Sequence, residues 1–243
     1  MSVPSSSSRF PVTGGGICVA IACRDVQTAI TAVKPVADLI DVVEIRLDAM
    51  AEVHIETLCR NISCPLLLTN RPEWEGGAFR GTEENRLLPL MEGVSHGAAF
   101  LDLELRALPQ HRRRLLDRLR GTQTRLIVSH HDFNLTPDAG ALSAILREQV
   151  ESGAHIGKIV TMAHDHLDVL RVLQLQEEAA RHDFPLIAFC MGEAGRLSRI
   201  ITLLLGGFMT YAALDEARQT APGQLTVREL KASLACLAGH SKS

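Results

Sequence analysis

Short apolar runs alternate with longer segments whose apolar residues recur every three or four positions, and this alternation repeats eight times along the chain. The short runs, predicted to be strands, are 17–22, 42–47, 65–69, 98–103, 124–129, 155–162, 185–190 and 206–212. Each is bounded by polar or turn-forming residues and is apolar on both faces, as in a parallel sheet covered on both sides. The segments between them have the pattern of helices. In the fifth, Thr136 is the predicted N-cap, Pro137 fits the first helical position and Asp138 the first turn, ahead of Leu142, Ile145, Leu146 and Val150. The sixth carries Leu167, Leu170 and Leu173, with Glu177, Glu178 and Arg181 beyond, and the last covers about 225–237.

Eight βα units in about 230 residues match a (β/α)8 TIM barrel. The alternative is an open doubly wound sheet, which usually has fewer strands and a glycine-rich phosphate loop after the first one. Here Ile21-Ala-Cys-Arg-Asp25 stands in that place. No internal stretch is rich enough in Pro, Gly or Ser to divide the chain, so residues 1–243 are expected to form a single domain. A serine-rich start predicts a loose segment of about 1–12.

Composition narrows the function. With 243 residues and 46% hydrophobic content the chain can fill a barrel core. Lys+Arg number 25 against 28 Asp+Glu, a net charge of −3, so no global field recruits nucleic acid or a membrane surface. The densest basic run, His111-Arg-Arg-Arg114 with Arg118 and Arg120, is interleaved with Leu115, Leu116 and Leu119 and fits the solvated face of an amphipathic helix. Six cysteines occur without a CxxC pair; Cys18, Cys64 and Cys190 lie in apolar runs and fit as small hydrophobes. With neither a signal peptide nor an apolar run of membrane-spanning length, a reduced, cytoplasmic protein is expected.

In a parallel barrel, catalytic groups lie at the C-terminal ends of the strands. Lys158 interrupts the apolar run 154–162, where an unpaired ammonium costs several kcal/mol to bury. It either snorkels to solvent, pairs with an acid, or works as a neutral nucleophile toward a carbonyl. A free lysine has a pKa of about 10.4, so the third role needs burial and cationic neighbours, for which Arg46 and Arg199 are the candidates. Strand alternation puts Glu44, Arg46 and Asp48 on one side of the second strand, either as a salt-bridge ladder or as part of a site.

The third strand leads to Arg71, then to Glu73-Trp-Glu75-Gly-Gly77, whose paired glycines suit a mobile loop; Trp74 fits either packing or substrate contact. The fifth ends in Ser129-His-His-Asp-Phe133, where at most one histidine faces the axis easily. A metal site would join one of these to His155, His164 or His166, but neither HExxH nor a first-strand HxH is present, and no metal or cofactor is expected. Met191-Gly-Glu-Ala-Gly195 precedes a helix and would bind an anion through backbone N–H groups, with Arg199 as a bidentate partner, or is a plain loop with a capping serine. Thr220-Ala-Pro-Gly-Gln224 adds a hydroxyl and an amide on a turn-prone segment. Together these groups fit metal-free carbonyl chemistry on a small anionic substrate. Lys158 forms an imine, His131 moves a proton on the adjacent carbon, Glu44 orients the ring, and the arginines grip a carboxylate and hydroxyls.

The same motifs resemble the type I 3-dehydroquinate dehydratase family over nearly all of the chain after the first dozen residues. Glu44-x-Arg46-x-Asp48, Arg71-x-x-x-Glu75-Gly-Gly77, Ser129-x-His131-Asp-Phe133, Lys158, Met191-Gly with Ser198-Arg199, and Ala221-Pro-Gly-Gln224 are similar to its signature and occur in its order. The resemblance implies a Schiff base at Lys158, His131 rather than His130 as the catalytic histidine, and no cofactor. It places Glu44, Arg46 and Arg71 at the ring hydroxyls, and Arg199 and Gln224 at the carboxylate, with Thr220 where serine is frequent. It also implies a homodimer. His130 departs from a common aromatic, and Gly157 departs from a bulkier residue or proline, which predicts a looser strand end beside Lys158. The competing classes are a class I aldolase, a metal-dependent barrel hydrolase and a noncatalytic barrel.

Overall fold

The computed structural model describes residues 15–215 and 220–237; the segment 1–12 lies outside these. Eight strands run β1 Gly16–Ile21, β2 Val42–Arg46, β3 Leu66–Thr69, β4 Phe100–Glu104, β5 Arg125–Asp132, β6 Ile156–Met162, β7 Leu186–Met191 and β8 Met209–Ala212. All the pairings are parallel, in the order β7-β6-β5-β4-β3-β2-β1-β8. The two ends of this sheet meet where the Phe208 N–H donates to the Leu186 carbonyl at 2.8 Å, giving a nearly closed (β/α)8 barrel.

The helices are α1 Val26–Val33, α2 Ile55–Asn61, α3 Glu83–Ser95, α4 Pro109–Leu119, α5 Ala139–Glu151, α6 His166–Arg181, α7 Ser198–Leu204 and α8 Val227–Leu237. Asp25, Thr82, Asp138 and Asp165 cap α1, α3, α5 and α6 by accepting a backbone N–H of the first turn, each contributing about 1 kcal/mol. The predicted cap of α5 is thus displaced. Asp138 does the capping, while Thr136 is buried and bonds to Thr161 Oγ1 and the Met162 carbonyl, both at 2.8 Å. The predicted face of α6 is also rotated. Leu167 and Leu170 are exposed, and the core face is Val169, Val172, Leu173 and Gln176. In α4 the expected amphipathic pattern holds, with Leu115 and Leu119 buried beneath the arginines.

Alternation along the strands builds two hydrophobic layers. Cys18, Val42, Leu67, Phe100, Ile127 and Ile156 fill the lower barrel interior, whereas Ile45, Leu68, Leu101 and Val128 face the helices. Each fully buried Leu or Ile contributes about 1.5–3 kcal/mol. Above the interior plug, the inward positions turn polar. The predicted strands ended where apolarity ended, but β4 and β5 continue to Glu104 and Asp132, because pairing with neighbours carries the backbone on. His131 pairs in register with Val160 and Ser129 with Lys158, so both side chains are fixed by ladder rather than by loop.

Candidate active site

The polar end of the interior opens into a cavity. Glu44, Arg46, Arg71, His131, Lys158, Arg199, Thr220 and Gln224, all singled out in the sequence, line it together with Glu75, Phe189 and Tyr211. Lys158 does not snorkel; it is 4% exposed, and its Nζ donates to Tyr211 Oη at 3.0 Å and Asp102 Oδ2 at 3.3 Å, with Glu44 Oε1 at 3.8 Å. The expected cationic neighbours, Arg46 and Arg199, are therefore not what the amine touches. Two acids and a phenol surround it.

Asp102 is shared. Its Oδ2 also takes Arg71 at 2.9 Å, and its Oδ1 accepts the Ser129 hydroxyl at 2.6 Å. Burial would push the Asp102 carboxyl up, but Arg71 and Lys158 outweigh it and hold it below its ordinary value. Arg71 also donates to Glu104 and Ser129, each at 2.7 Å, and Arg86 of α3 reaches Glu104 at 2.7 Å from behind. Arg71, expected to grip substrate, thus spends both terminal nitrogens on barrel side chains. Arg46 is likewise paired, in a fork with Asp48 at 2.9 and 2.7 Å.

Asp48 has a second task. Its oxygens accept the Arg71 and Ala78 N–H groups at 3.1 and 3.0 Å, pinning the loop after β3. The glycines of that loop serve close packing. A Cβ on Gly77 would lie 2.0 Å from the Arg71 carbonyl, and Gly76, with φ of 76°, lies against the Phe133 ring. This fold-back delivers Glu75 into the cavity, while Trp74 stays outside with the Arg106 guanidinium 5.5 Å from its ring centre.

Glu75 supplies what was expected of Glu44. Its Oε1 lies 2.9 Å from His131 Nδ1 and accepts the His131 backbone N–H at 3.1 Å. Glu44 instead accepts the Thr69 hydroxyl at 2.6 Å. Burial pushes the Glu75 carboxyl up to about 8, although Arg71 opposes it. Burial, then the charges of Arg71, Lys158, His130 and Arg46, holds the His131 imidazolium well below its ordinary value. Glu75 therefore keeps its carboxyl proton up to about pH 8 beside a neutral imidazole. Without that proton, Nδ1–H points at a carboxylate and Nε2 is free to act as a base.

The opposite wall differs. Arg199 of α7 is 1% exposed with its guanidinium 4.5 Å from the Phe189 ring centre; among the described residues its terminal nitrogens reach only the Tyr211 and Pro222 carbonyls, both at 3.4 Å. Among those residues its Nε has no hydrogen-bond partner, and no carboxylate pairs with it. Burial pushes it down to about 10. Of the backbone N–H groups expected to bind an anion at 191–195, two are already used: that of Gly192 goes to the Pro222 carbonyl and that of Gly195 to the Gly192 carbonyl. Nor does a serine cap the helix: α7 has no side-chain cap, and Ser198 Oγ accepts the Cys190 N–H at 2.8 Å and donates to the Gly195 carbonyl, tying α7 to β7. Gln224 and Thr220 clasp each other, Nε2 to Oγ1 at 3.1 Å and the Thr220 N–H to Oε1 at 2.8 Å, at the cavity edge.

Gly157 does not loosen β6. Its missing side chain makes room for Gln149 of α5, whose Nε2 donates to the Val128 and Lys158 carbonyls at 3.0 and 2.9 Å, tying β5 to β6 behind the amine. Among the described residues, no three His, Cys, Asp or Glu side chains converge to hold a metal, and no helix is long and apolar enough to cross a membrane. None of the six cysteines is in a disulfide. Asp102, Ser129, Glu104, Glu75 and Tyr211 were missed as site residues. The available signal was period-two polarity inside apolar strands, as in Phe100-Leu-Asp-Leu-Glu104.

Comparison with known proteins agrees with this geometry. The family model for type I 3-dehydroquinase matches residues 17–241. A 3-dehydroquinate dehydratase of Desulfotalea psychrophila is 46% identical over 191 residues, covering 79% of this chain and 84% of its own. One from Methanococcus maripaludis is 34% identical over 220 residues, covering 88% and 96%. Among solved structures, the type I 3-dehydroquinate dehydratase of Clostridium difficile, with covalently modified comenic acid, superposes with a TM-score of 0.84 at 28% identity, covering 93% of this chain and 92% of its own. The chain belongs to the type I 3-dehydroquinase family.

Proposed function

We propose that this chain removes water from 3-dehydroquinate to give 3-dehydroshikimate through an imine at Lys158, with His131 as general base and then general acid and with no cofactor. The Lys158 nitrogen adds to the substrate ketone, whose oxygen departs as water, leaving a protonated imine that acidifies the neighbouring carbon. His131 Nε2 takes the proton from that carbon. The resulting enamine expels the hydroxyl, which leaves as water with the proton returned by His131. Hydrolysis of the new imine consumes one water and frees Lys158, so the net loss is one water.

Arg199 and Gln224 receive the carboxylate, with Thr220 holding Gln224; Glu44 and Arg46 face the ring hydroxyls, and Arg71 keeps that wall in shape. Glu75 rather than Glu44 orients the histidine. The observation that carries the reading is that a buried amine, a His131–Glu75 pair and an arginine with no acid partner among the described residues line one cavity. Two finer points complete the reading: a homodimer, which rests on the resemblance alone, and a cytoplasmic location, which rests on the sequence.

The decisive experiment is borohydride reduction in the presence of 3-dehydroquinate, with peptide mapping. A reduced adduct on Lys158, together with rising enone absorbance in the unreduced reaction, is expected. In His131→Ala, turnover should fall by about 10²-fold or more while the adduct still forms. An adduct only with another carbonyl acid would transfer the chain to the aldolase reading, and chelator-sensitive turnover without an adduct would sink the imine.

A further inference from the structure

Tyr211 is the only tyrosine in the chain and sits on β8, in register with Cys18 of β1, with its side chain inside the barrel. A buried phenol needs a partner for its hydroxyl. Here the hydroxyl lies 3.0 Å from Lys158 Nζ. Packing against Phe189, at a ring-centre separation of 5.8 Å, uses only the ring, so phenylalanine would satisfy that contact equally. The ring face also lies 4.3 Å from Nζ, so the amine touches both the face and the oxygen of one side chain.

We propose that the Tyr211 hydroxyl is a positioning group for the imine-forming amine. Together with Asp102 it holds two of the nitrogen's hydrogens and leaves the third tetrahedral direction for the incoming ketone. This rests on the imine reading above and deepens it. The phenol oxygen accepts the Lys158 N–H through a lone pair. Burial first, then the negative charge of Glu44, raises the phenol well above its ordinary value, so it stays protonated. Tyr211 therefore neither gives nor takes a proton on balance when the N–C bond forms; it fixes where the nitrogen is. The same phenol stands between the two ends of the site, because its ring packs on Phe189 and Phe189 carries Arg199.

The test is the rate of adduct formation on Lys158 after rapid mixing with 3-dehydroquinate and borohydride quenching. Tyr211→Phe keeps the ring and removes one oxygen. Its imine should form about 10-fold more slowly, the weight of one hydrogen bond to an amine, while KM stays within about twofold. A purely structural role would instead lower the melting temperature without changing the split between imine formation and the later proton transfer. Imine formation as fast as wild type in a folded Tyr211→Phe protein overturns the proposal. Should that variant not fold, labelling the wild-type chain with 3-fluorotyrosine alters this one residue alone and weakens its oxygen as an acceptor. A slower imine then supports the role, and an unchanged rate overturns it. Absence of any Lys158 adduct in the wild type is a different failure, since it removes the imine itself.

Discussion

On the β3–β6 side of the barrel mouth, buried charges arrive already paired, with Arg71 between Asp102 and Glu104. On the β7–β8 side, Arg199 lies on an aromatic ring with two carbonyl contacts at 3.4 Å and no acid among the described residues. The two walls therefore do different work. The first is close to neutral before substrate arrives, so its value lies in shape and in placing the amine. The second carries a standing desolvation cost that an arriving carboxylate offsets, so it selects an anion. One cavity thus separates the reacting end from the binding end by how completely each wall has satisfied its own charges.

The largest test breaks the paired wall. Arg71→Met leaves Asp102 and Glu104 facing each other in the interior without their shared cation. Removing one partner of a buried pair costs about 3–5 kcal/mol, so the urea midpoint should fall by that equivalent, and activity with it. A variant as stable as wild type would mean that the wall is not held by this pairing.

Arg199→Met breaks the other wall and should behave in the opposite way. No acid of the described residues is stranded, so stability stays level or rises, whereas KM for 3-dehydroquinate rises about 100-fold, the scale of a desolvated charge pair. Steady-state kinetics beside a denaturant curve separates the two effects. A stability loss as large as that of Arg71→Met would erase the distinction between the walls.

These walls were unequally legible in the sequence. The barrel and its eight strands followed from periodicity, because strands buried on both faces need unbroken apolar runs. Arg199 and Lys158 stood out as charges at strand ends. Asp102 and Glu104 did not, since a single strand does not reveal which residues across the barrel will meet it. Arg71 was visible, but its partners on β4 and β5 were not. Glu75 was overlooked for a related reason: it enters the cavity only because Asp48 pins its loop. Gly157 was misjudged because the group filling its space, Gln149, comes from the preceding helix. That point has its own test: Gly157→Val drives a side chain into Gln149, Phe184 and Leu186, and should cost about 1–3 kcal/mol by thermal or chemical denaturation.

The smallest effect follows the proton that Glu75 keeps beside His131. The folded Glu75 carboxyl holds its proton up to about pH 8, whereas an unfolded one loses it near 4.5. Between those values the folded state binds more protons, so this group's contribution makes stability fall as pH rises, levelling off above about 8. His131 has the opposite sign. Its folded value lies well below 6.5, so its contribution is lost as pH falls beneath 6.5. Below 6.5 the two slopes oppose each other, and from there to about pH 8 Glu75 acts without that opposition. Stability should decline by at most about 2 kcal/mol across that upper interval, and Glu75→Gln, which cannot ionise, should flatten it. Denaturation midpoints for both proteins at closely spaced pH values measure the difference. Parallel curves would place that proton elsewhere, and with it the point at which the histidine becomes a base.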